Sequence, residues 1–536
     1  MASRAEGGRA PAAGLRIACA AIALLFAAPF VYLVVRNAAA PARLWSVVTS
    51  RTSVAPLARS VVLAAAVAAA AAAVGTAAAW LVTRTDVPGR RAWRVLLPLP
   101  LVIPSFIGAF VMLAAFAPGG LLAEALRPLG VERLPSVRGF AGSFVVLTLF
   151  TFPYVYLPAA ARLARLAPSL EESARLLGTS PRRVFVTVVL PQARGAIVAG
   201  TLLVFLYVVG DFGVVQLMRY DTLTRVVYAT RLLDPPTSLG LSLELGVLAL
   251  LVVALERTAS ARRAPVAARR GPPALTVPLG RWRPAAATFL AAVVGVGLAV
   301  PVGVLAWWAA RGVVRGTTVA GSLGATVTEL AGPAANTAVA SIAAAAAAVA
   351  LVVPLAYLTV RHRGPLGGAA NAVVVAGFAL PGLAIALALV FWTLGGPGLL
   401  GAAYQTVPLL VFAYVVHFGA QSMRAAQVAL AAVPPGLDDA ARVLGARPWR
   451  RVAAVELPLM APGLLAGAGL VLLSAMKELP ATLLLAPAGF QTLATEVWAA
   501  TESAFFADAS IAALALVALS GVLTWVLVIR RADVMV

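Results

Sequence analysis

Long apolar stretches alternate with short basic segments along the 536 residues of this chain. A helix needs roughly 20 apolar residues to cross the hydrocarbon core of a bilayer. Stretches of that length with few or no charged residues predict about twelve transmembrane helices, six in each half of the chain. The predicted spans are 17–35, 60–83, 95–116, 140–161, 195–218, 238–255, 285–310, 334–360, 370–394, 407–423, 461–486 and 509–529.

The composition agrees with a membrane protein and excludes a water-soluble globular one. Hydrophobic residues make up 62% of the chain and charged residues 12%, against roughly 45–50% and about 25% in soluble domains. The predicted fold class is therefore an all-α polytopic membrane protein in a lipid bilayer. The net charge of +22 is scattered in short clusters between the spans, which argues against nucleic acid as a partner. More basic residues fall on the side of the N-terminus, so the positive-inside rule predicts that both termini are cytoplasmic.

The rare residue types exclude several kinds of site. The only lysine, Lys477, lies between Met476 and Glu478, so the chain contains no G-x-x-x-x-G-K-[ST] phosphate loop and no ATPase site of its own. The single cysteine, Cys19, excludes an intrachain disulfide and a cysteine metal cluster, and two histidines are too few for a multi-histidine metal site. We therefore expect no metal site, no bound cofactor and no enzymatic activity in this chain.

The two halves of the chain repeat one another, and the best match lies in a loop between spans. Matched positions are 267 residues apart: Pro168 and Pro435, Leu170 and Leu437, Glu172 and Asp439, Ala174 and Ala441, Gly178 and Gly445, Pro181 and Pro448, Pro191 and Pro458, Gly200 and Gly467. Upstream, Arg84 matches Arg361 and Pro104 matches Pro381. Each copy holds an even number of spans, so the repeats are parallel, related by an axis along the membrane normal. We predict a first repeat at 1–255, a basic cytoplasmic linker at 256–283 and a second repeat at 284–536.

Each copy of the loop predicts two short helices joined by a sharp turn. In the first copy, Ser169 and Glu172 form a capping box, Gly178 ends the first helix, and Pro181 begins the second. In the second copy Gly436 takes the cap position. Such an amphipathic helix either lies on the lipid surface, packs under its own bundle or docks into a partner. Two symmetric copies favour a partner with two equivalent grooves.

These loops resemble the signature of the permeases of binding-protein-dependent ABC transporters, which is E-A-A, three residues, G, nine residues, then I-x-L-P. The chain has ESA-RLL-G with VVLP and DAA-RVL-G with VELP. We refer to residues 169–191 and 436–458 as the first and second signature loops. The resemblance implies a type I importer fold in a bacterial inner membrane. It also implies two copies of a cytoplasmic ATP-binding cassette subunit, with ATP and Mg²⁺ bound by those subunits, and a periplasmic or lipid-anchored solute-binding protein. The residues that would couple to the ATPase are Glu172, Ala174, Gly178, Pro191, Asp439, Ala441, Gly445 and Pro458.

A narrower resemblance covers residues 476–498, MKELPATLLLAPAGFQTLATEVW. This segment is similar to the iron(III)-type permeases of the same family, which implies ferric iron as the substrate. Related fused permeases for thiamine and for phosphonate-type compounds share the two-repeat layout, so these solutes remain the alternative.

Four acidic or Lys/Arg residues fall within the predicted spans, where a charge is costly and marks a pathway or a paired contact: Asp211, Glu244, Lys477 and Glu478. Asp211 and Glu478 occupy equivalent positions of the two repeats. Two interpretations are open: each carboxylate caps a broken helix, or it lines or gates a translocation path with Lys477. Direct coordination would hold a trivalent cation too tightly for release, so a gate or wall is favoured over a coordination site. Glu244 has no acidic counterpart and is expected to pair locally.

The main rival function is that of a secondary transporter with 6 + 6 parallel repeats, driven by protons through the carboxylates of the spans. That function explains the repeat and the carboxylates, but it does not explain why the best match between the repeats is an amphipathic loop. A polytopic membrane enzyme is disfavoured, because the sequence lacks a constellation of His, Cys or clustered Asp.

Overall fold

The computed structural model describes residues 13–130, 134–166, 168–261, 275–362, 364–396 and 398–524. Within these ranges the regular structure is helical, and the one β-type pairing is an isolated parallel bridge between Thr85 and Val277. The prediction of an all-α protein is confirmed. The middle of the predicted linker, 262–274, and the end of the last predicted span, 525–529, lie outside the described residues.

The first half contains the helices α1 to α14, together with short 3-10 segments at Leu99–Val102 and Arg127–Leu129 and a π-helical turn at Phe185–Val189. The helices are α1 (Ala13–Ala38), α2 (Pro41–Val48), α3 (Arg51–Arg84), α4 (Arg90–Leu96), α5 (Ser105–Phe116), α6 (Leu121–Leu126), α7 (Phe140–Thr151), α8 (Pro153–Leu163), α9 (Pro168–Leu176), α10 (Pro181–Val184), α11 (Leu190–Gly210), α12 (Gly213–Leu217), α13 (Leu223–Thr230) and α14 (Pro235–Ala261).

The second half contains α15 to α27, a 3-10 segment at Gly280–Trp282 and π-helical turns at Gly295–Ala299 and Val452–Glu456. The helices are α15 (Arg283–Val294), α16 (Val300–Arg315), α17 (Leu323–Arg361), α18 (Pro365–Ala379), α19 (Gly382–Leu394), α20 (Leu399–Ala402), α21 (Val407–Ala432), α22 (Pro435–Val443), α23 (Pro448–Arg451), α24 (Leu457–Met476), α25 (Pro480–Leu485), α26 (Leu493–Glu502) and α27 (Phe506–Thr524).

Within the described residues, ten helical stretches are long and apolar enough to cross a membrane. The pair α18 and α19, bent by 104°, raises the number to eleven if it forms one span. The remaining predicted span, 407–423, lies in the 26-residue helix α21, which carries His417, Gln421 and Arg424 and is not among these stretches. The structure therefore supports ten to eleven spans, against the predicted number of about twelve.

The internal repeat is visible in the helix boundaries. From α9 to α10, the π-helical turn and the start of α11, each boundary recurs 267 residues later in α22, α23, the second π-helical turn and α24. The same helices form because the same turn residues, proline and glycine, stand at the same distances in both copies. The two signature loops are therefore equivalent structures in the two repeats.

Prolines break the third and ninth predicted spans at equivalent positions of the two repeats. The third predicted span is divided before Pro104, and the ninth is divided before Pro381. The residues that precede them, Ile103 and Leu380, are extended, with ψ of 123° and 127°. A residue before proline is driven out of the α region by the proline ring, so these breaks are local consequences of the sequence.

The first long helix of each repeat packs against the other repeat. α1 contacts α18 and α19 of the second half as well as α14 of its own, and α16 contacts α5 of the first half as well as α27. Close approach requires small residues: a Cβ at Gly419 of α21 would lie 2.7 Å from the ring of Phe26 in α1. The two repeats therefore form one bundle in which each half holds the other.

Candidate functional site

The first signature loop ends its helix in a Schellman turn. The backbone N–H of Thr179 donates to the carbonyl of Ala174 at 3.1 Å, and that of Gly178 donates to Arg175 at 2.9 Å. Gly178 has φ of +77°, in the left-handed region where residues with a Cβ are strained. The prediction that Gly178 ends the helix is confirmed.

The second signature loop has the same turn. The N–H of Ala446 donates to Ala441 at 3.0 Å, and that of Gly445 donates to Arg442 at 3.0 Å. Gly445 has φ of +78°, almost identical to its counterpart. Both loops therefore depend on a glycine for the backbone conformation and not for space, because a Cβ at either position would meet nothing within 4 Å.

The predicted capping box of the first loop and the predicted Gly436 cap of the second are wrong. α9 begins at Pro168 and α22 at Pro435, so Ser169 and Gly436 lie within the helices and not at their N-caps. Proline is favoured in the first turn because its φ is already helical and its missing N–H would be unpaired there. Glu172 is exposed.

We call α9 and α22 the signature helices, and each ends in an exposed apolar pair. Leu176 and Leu177 are 89% and 85% exposed, and Val443 and Leu444 are 87% and 86% exposed. Clustered exposed apolar residues mark surfaces that meet a protein or a membrane. Each loop therefore presents an exposed apolar tip of similar character.

The other predicted residues of the loops lie around these tips. Asp439 is exposed and lies 3.9 Å from the guanidinium of Arg442 one turn later. One predicted alanine in each loop is half-buried, and the proline that ends each loop is exposed in the first turn of α11 or α24; these residues are Ala174, Ala441, Pro191 and Pro458.

A buried acidic residue of the first loop was missed by the sequence analysis. Glu171, the neighbour of Glu172, is 2% exposed and forms an ion pair with Arg84 at the end of α3. In the second repeat Arg361 lies 3.5 Å from the carboxylate of Glu456. The recurrence of an arginine at equivalent positions near the ends of two apolar spans was the signal that could have revealed these pairs.

A cavity of about 460 Å³ lies between the two repeats, at the breaks in the spans. Asp211, Lys477 and Glu478 all line it. Its other polar side chains are Ser105, Tyr154, Tyr207, His417, Gln421 and Ser474. The structure thus brings together the three charged residues that the sequence singled out as path or gate residues.

Asp211 caps a helix and also faces the cavity. One carboxylate oxygen accepts a hydrogen bond from the backbone N–H of Val214 in α12 at 2.9 Å. The other accepts one from the hydroxyl of Ser105 at 2.7 Å, and Tyr207 donates to that same hydroxyl at 3.0 Å. Asp211 therefore joins α12, α5 and α11 at the cavity wall.

Glu478 also caps a helix, but it has a glycine opposite it where Asp211 has a serine. Its carboxylate accepts from the N–H of Ala481 in α25 at 3.1 Å. The position equivalent to Ser105 is Gly382, where a Cβ would lie only 2.5 Å from a carboxylate oxygen of Glu478. The longer acidic side chain thus occupies the space that serine fills in the first repeat.

Lys477 makes a contact between the repeats. Its ammonium donates to the backbone carbonyl of Leu101 at 2.7 Å, in the 3-10 segment before the break of the third predicted span. The equivalent residue of the first repeat is Gly210, where a Cβ would lie 3.6 Å from Pro381. The cavity wall is therefore pseudo-symmetric in shape and asymmetric in charge.

The two interpretations of the carboxylates turn out to be compatible, since both residues cap short helices and both line the cavity. Glu244 accepts a hydrogen bond from Ser53 at 2.7 Å, as the expected local pairing requires. Among the described residues, no group of three or more His, Cys, Asp or Glu is arranged to hold a metal ion.

Comparison with known proteins agrees with the two-repeat architecture. The family described as "Binding-protein-dependent transport system inner membrane component" matches twice, at residues 71–256 and 348–531, and each match contains one signature loop. The chain belongs to this family. It is therefore a fused two-repeat permease, a transport subunit with multiple spans in the inner membrane.

The relatives of this permease fall into a full-length and a half-length group. It is 29% identical to the Fe(3+)-transport system permease protein FbpB 2 of Haemophilus influenzae, over 84% of each chain. The molybdenum transport system permease protein ModB of Mycobacterium tuberculosis is 33% identical over 39% of this chain and 81% of its own. The sulfate transport system permease protein CysT of Escherichia coli is 29% identical over 32% of this chain and 62% of its own.

Proposed function

We propose that this permease is the membrane subunit of an ATP-driven importer of ferric iron, delivered by an extracytoplasmic binding protein. The observation that carries the proposal is the similarity to an Fe(3+)-transport permease across 84% of both chains. The resemblance of the segment 476–498 to iron(III)-type permeases also supports the proposal, and the start of this segment lines the cavity. The molybdenum and sulfate permeases align with only 39% and 32% of this chain.

The signature loops act as coupling loops in this proposal. Two equal apolar tips suit two copies of one ATP-binding cassette subunit, each of which would bind its own ATP and Mg²⁺. This arrangement puts both loops and both termini on the cytoplasmic side, as the positive-inside rule predicts. The binding protein would then dock on the opposite face of the bundle.

The cavity acts as part of the path, with Asp211, Lys477 and Glu478 as wall or gate residues. Both carboxylates already accept hydrogen bonds from backbone N–H groups, which reduces their capacity to coordinate a metal ion. At about 30 Å³ per water, the cavity of about 460 Å³ has room for a hydrated or weakly chelated ion. Passage without tight coordination suits a path from which the ion must be released.

The direct test is uptake of radiolabelled ferric iron by a strain that lacks this gene, with and without the restored permease. Iron uptake should depend on the permease, while uptake of thiamine, phosphonate, molybdate and sulfate should not. Glu478→Gln should reduce iron uptake and leave association with the cassette subunits unchanged, because Glu478 lines the cavity and the 20-residue helix α24 separates it from the second loop. Iron uptake that is independent of the permease would overturn the substrate assignment.

A second measurement separates the importer from a proton-driven secondary transporter. The permease should co-purify with a cassette ATPase, and uptake into vesicles should stop when that ATPase is inhibited by vanadate. Uptake that continues under vanadate and follows an imposed proton gradient would contradict the proposal.

A further inference from the structure

Arg84 anchors the first signature helix to the bundle. It is the last residue of α3, it is 1% exposed, and its guanidinium pairs with the buried carboxylate of Glu171 in α9. The guanidinium also donates to the carbonyl of Leu163 at the end of α8, at 3.4 Å. Removing one partner of a buried ion pair leaves a charge without compensation. The ends of α3 and α8 and the helix α9 are therefore held as one unit.

Residues 84–86, at and just after the end of α3, are also bound by the last residues of the linker. The backbone N–H of Val277 donates to the carbonyl of Arg84 at 2.7 Å. Asp86 accepts from the N–H of Leu279 at 2.9 Å and from the guanidinium of Arg283, the first residue of α15. We name residues 275–283 the docked linker segment. It connects residues 84–86 directly to the start of the second repeat.

The second signature loop is held differently. Arg361 donates to the carbonyl of Val433 at 3.3 Å and lies 3.5 Å from Glu456. Glu456 belongs to the π-helical turn near the end of that loop and not to α22, the first helix of the loop. These contacts remain within the second repeat, whereas Arg84, which holds the first loop, is also bound by the docked linker segment.

We propose that the docked linker segment couples movement of the first signature helix to the second repeat, with Arg84 and Asp86 as positioning residues. The proposal rests on the proposed function, because it requires the signature helices to receive movement from the ATPase. A displacement of α9 would pass through the buried ion pair to residues 84–86. From there it would pass through the main-chain bond at Val277 and the Asp86 contacts to α15.

The test uses the complete complex in proteoliposomes and measures iron uptake per ATP hydrolysed. Asp86→Asn removes the ion pair with little change of shape, and Arg283→Gln removes it by taking away the guanidinium. We expect each to lower that ratio about two- to fivefold, the size suited to a partly exposed ion pair, while cassette association stays at the wild-type level. Arg281→Gln is the matched control, because Arg281 lies in the same segment and its guanidinium faces Trp282.

A second variant tests the segment without altering a charge. Val277→Pro removes the N–H that donates to Arg84, in a stretch that already continues with Pro278. It should lower uptake per ATP in the same way as Asp86→Asn. Wild-type ratios in Asp86→Asn, Arg283→Gln and Val277→Pro would overturn the coupling role of the segment and leave the importer assignment intact. An unmodified complex that takes up no iron would instead contradict the proposed function.

Discussion

The signature glycines offer the sharpest test of how the loops work. Gly178 and Gly445 have φ of +77° and +78°, and a Cβ at either position would meet nothing within 4 Å. Substitution by alanine therefore acts through the backbone alone. A residue with a Cβ is strained in the left-handed region by about 1–2 kcal/mol. Since about 1.4 kcal/mol corresponds to a tenfold change in an equilibrium constant, the equilibrium constant for forming the native turn should fall about 5- to 30-fold.

The assay compares Gly178→Ala, Gly445→Ala and the β-branched Gly178→Val for ATP-driven uptake, cassette co-purification and the amount of permease in the membrane. Uptake and cassette association should fall together, with valine more severe than alanine, while the amount in the membrane is unchanged. The control is Gly436→Ala, which lies in the second loop, has open space around it and does not have a positive φ. It should behave like wild type.

Two results would refute this reasoning. Wild-type uptake and cassette association in both glycine variants would mean that the loops are not coupling elements. An equal loss in Gly436→Ala would mean that the effect arises from changed helix propensity and not from the left-handed turn.

Three further predictions concern the cavity wall, the docked linker segment and ATP hydrolysis. Gly382→Ser should reduce uptake, because its Cβ would lie 2.5 Å from Glu478 and overpacking costs about 1–3 kcal/mol. Adding Glu478→Asp recreates the pair formed by Ser105 and Asp211 and should restore uptake. A double variant whose loss of uptake equals the sum of the two single losses would contradict this compensation. The pKa of Asp86 is lowered by the hydrogen bond from the N–H of Leu279, by the hydrogen bond from Arg283 and by the positive charge of Arg283. The stabilisation that the Asp86 carboxylate gives to the docked linker segment is therefore present above the usual aspartate pKa of about 3.9. It is lost only as pH falls through the lower pKa of the folded state. Amide exchange at Leu279, corrected for its intrinsic pH dependence, should show equal protection from pH 7 to pH 5, and a loss of protection near pH 6 would contradict this. The purified permease should hydrolyse no ATP without cassette subunits, and native mass spectrometry of the active complex should find two of them per chain; robust turnover by the permease alone would refute the prediction.

The repeat, the spans and the glycine turns could be predicted from the sequence because each depends on residues that are close along the chain. An apolar stretch must be helical in a bilayer whatever its neighbours are, since its backbone polar groups have no other partners there. The left-handed turn at Gly178 likewise needs only glycine after a helical segment. Matching residues at one constant spacing then revealed the second copy without any knowledge of the packing.

The ion pairs and the wall of the cavity depended on the tertiary structure. Glu171 and Glu172 are adjacent, but successive helical residues point about 100° apart, so one meets Arg84 in the interior and the other is exposed. The sequence could not show which of the two faces the bundle, because the orientation of α9 is determined by its distant contacts with α3. For the same reason the sequence could not show that Ser105 faces Asp211 in the first repeat while Gly382 faces the longer Glu478 in the second. These residues meet only because the broken spans pack against one another.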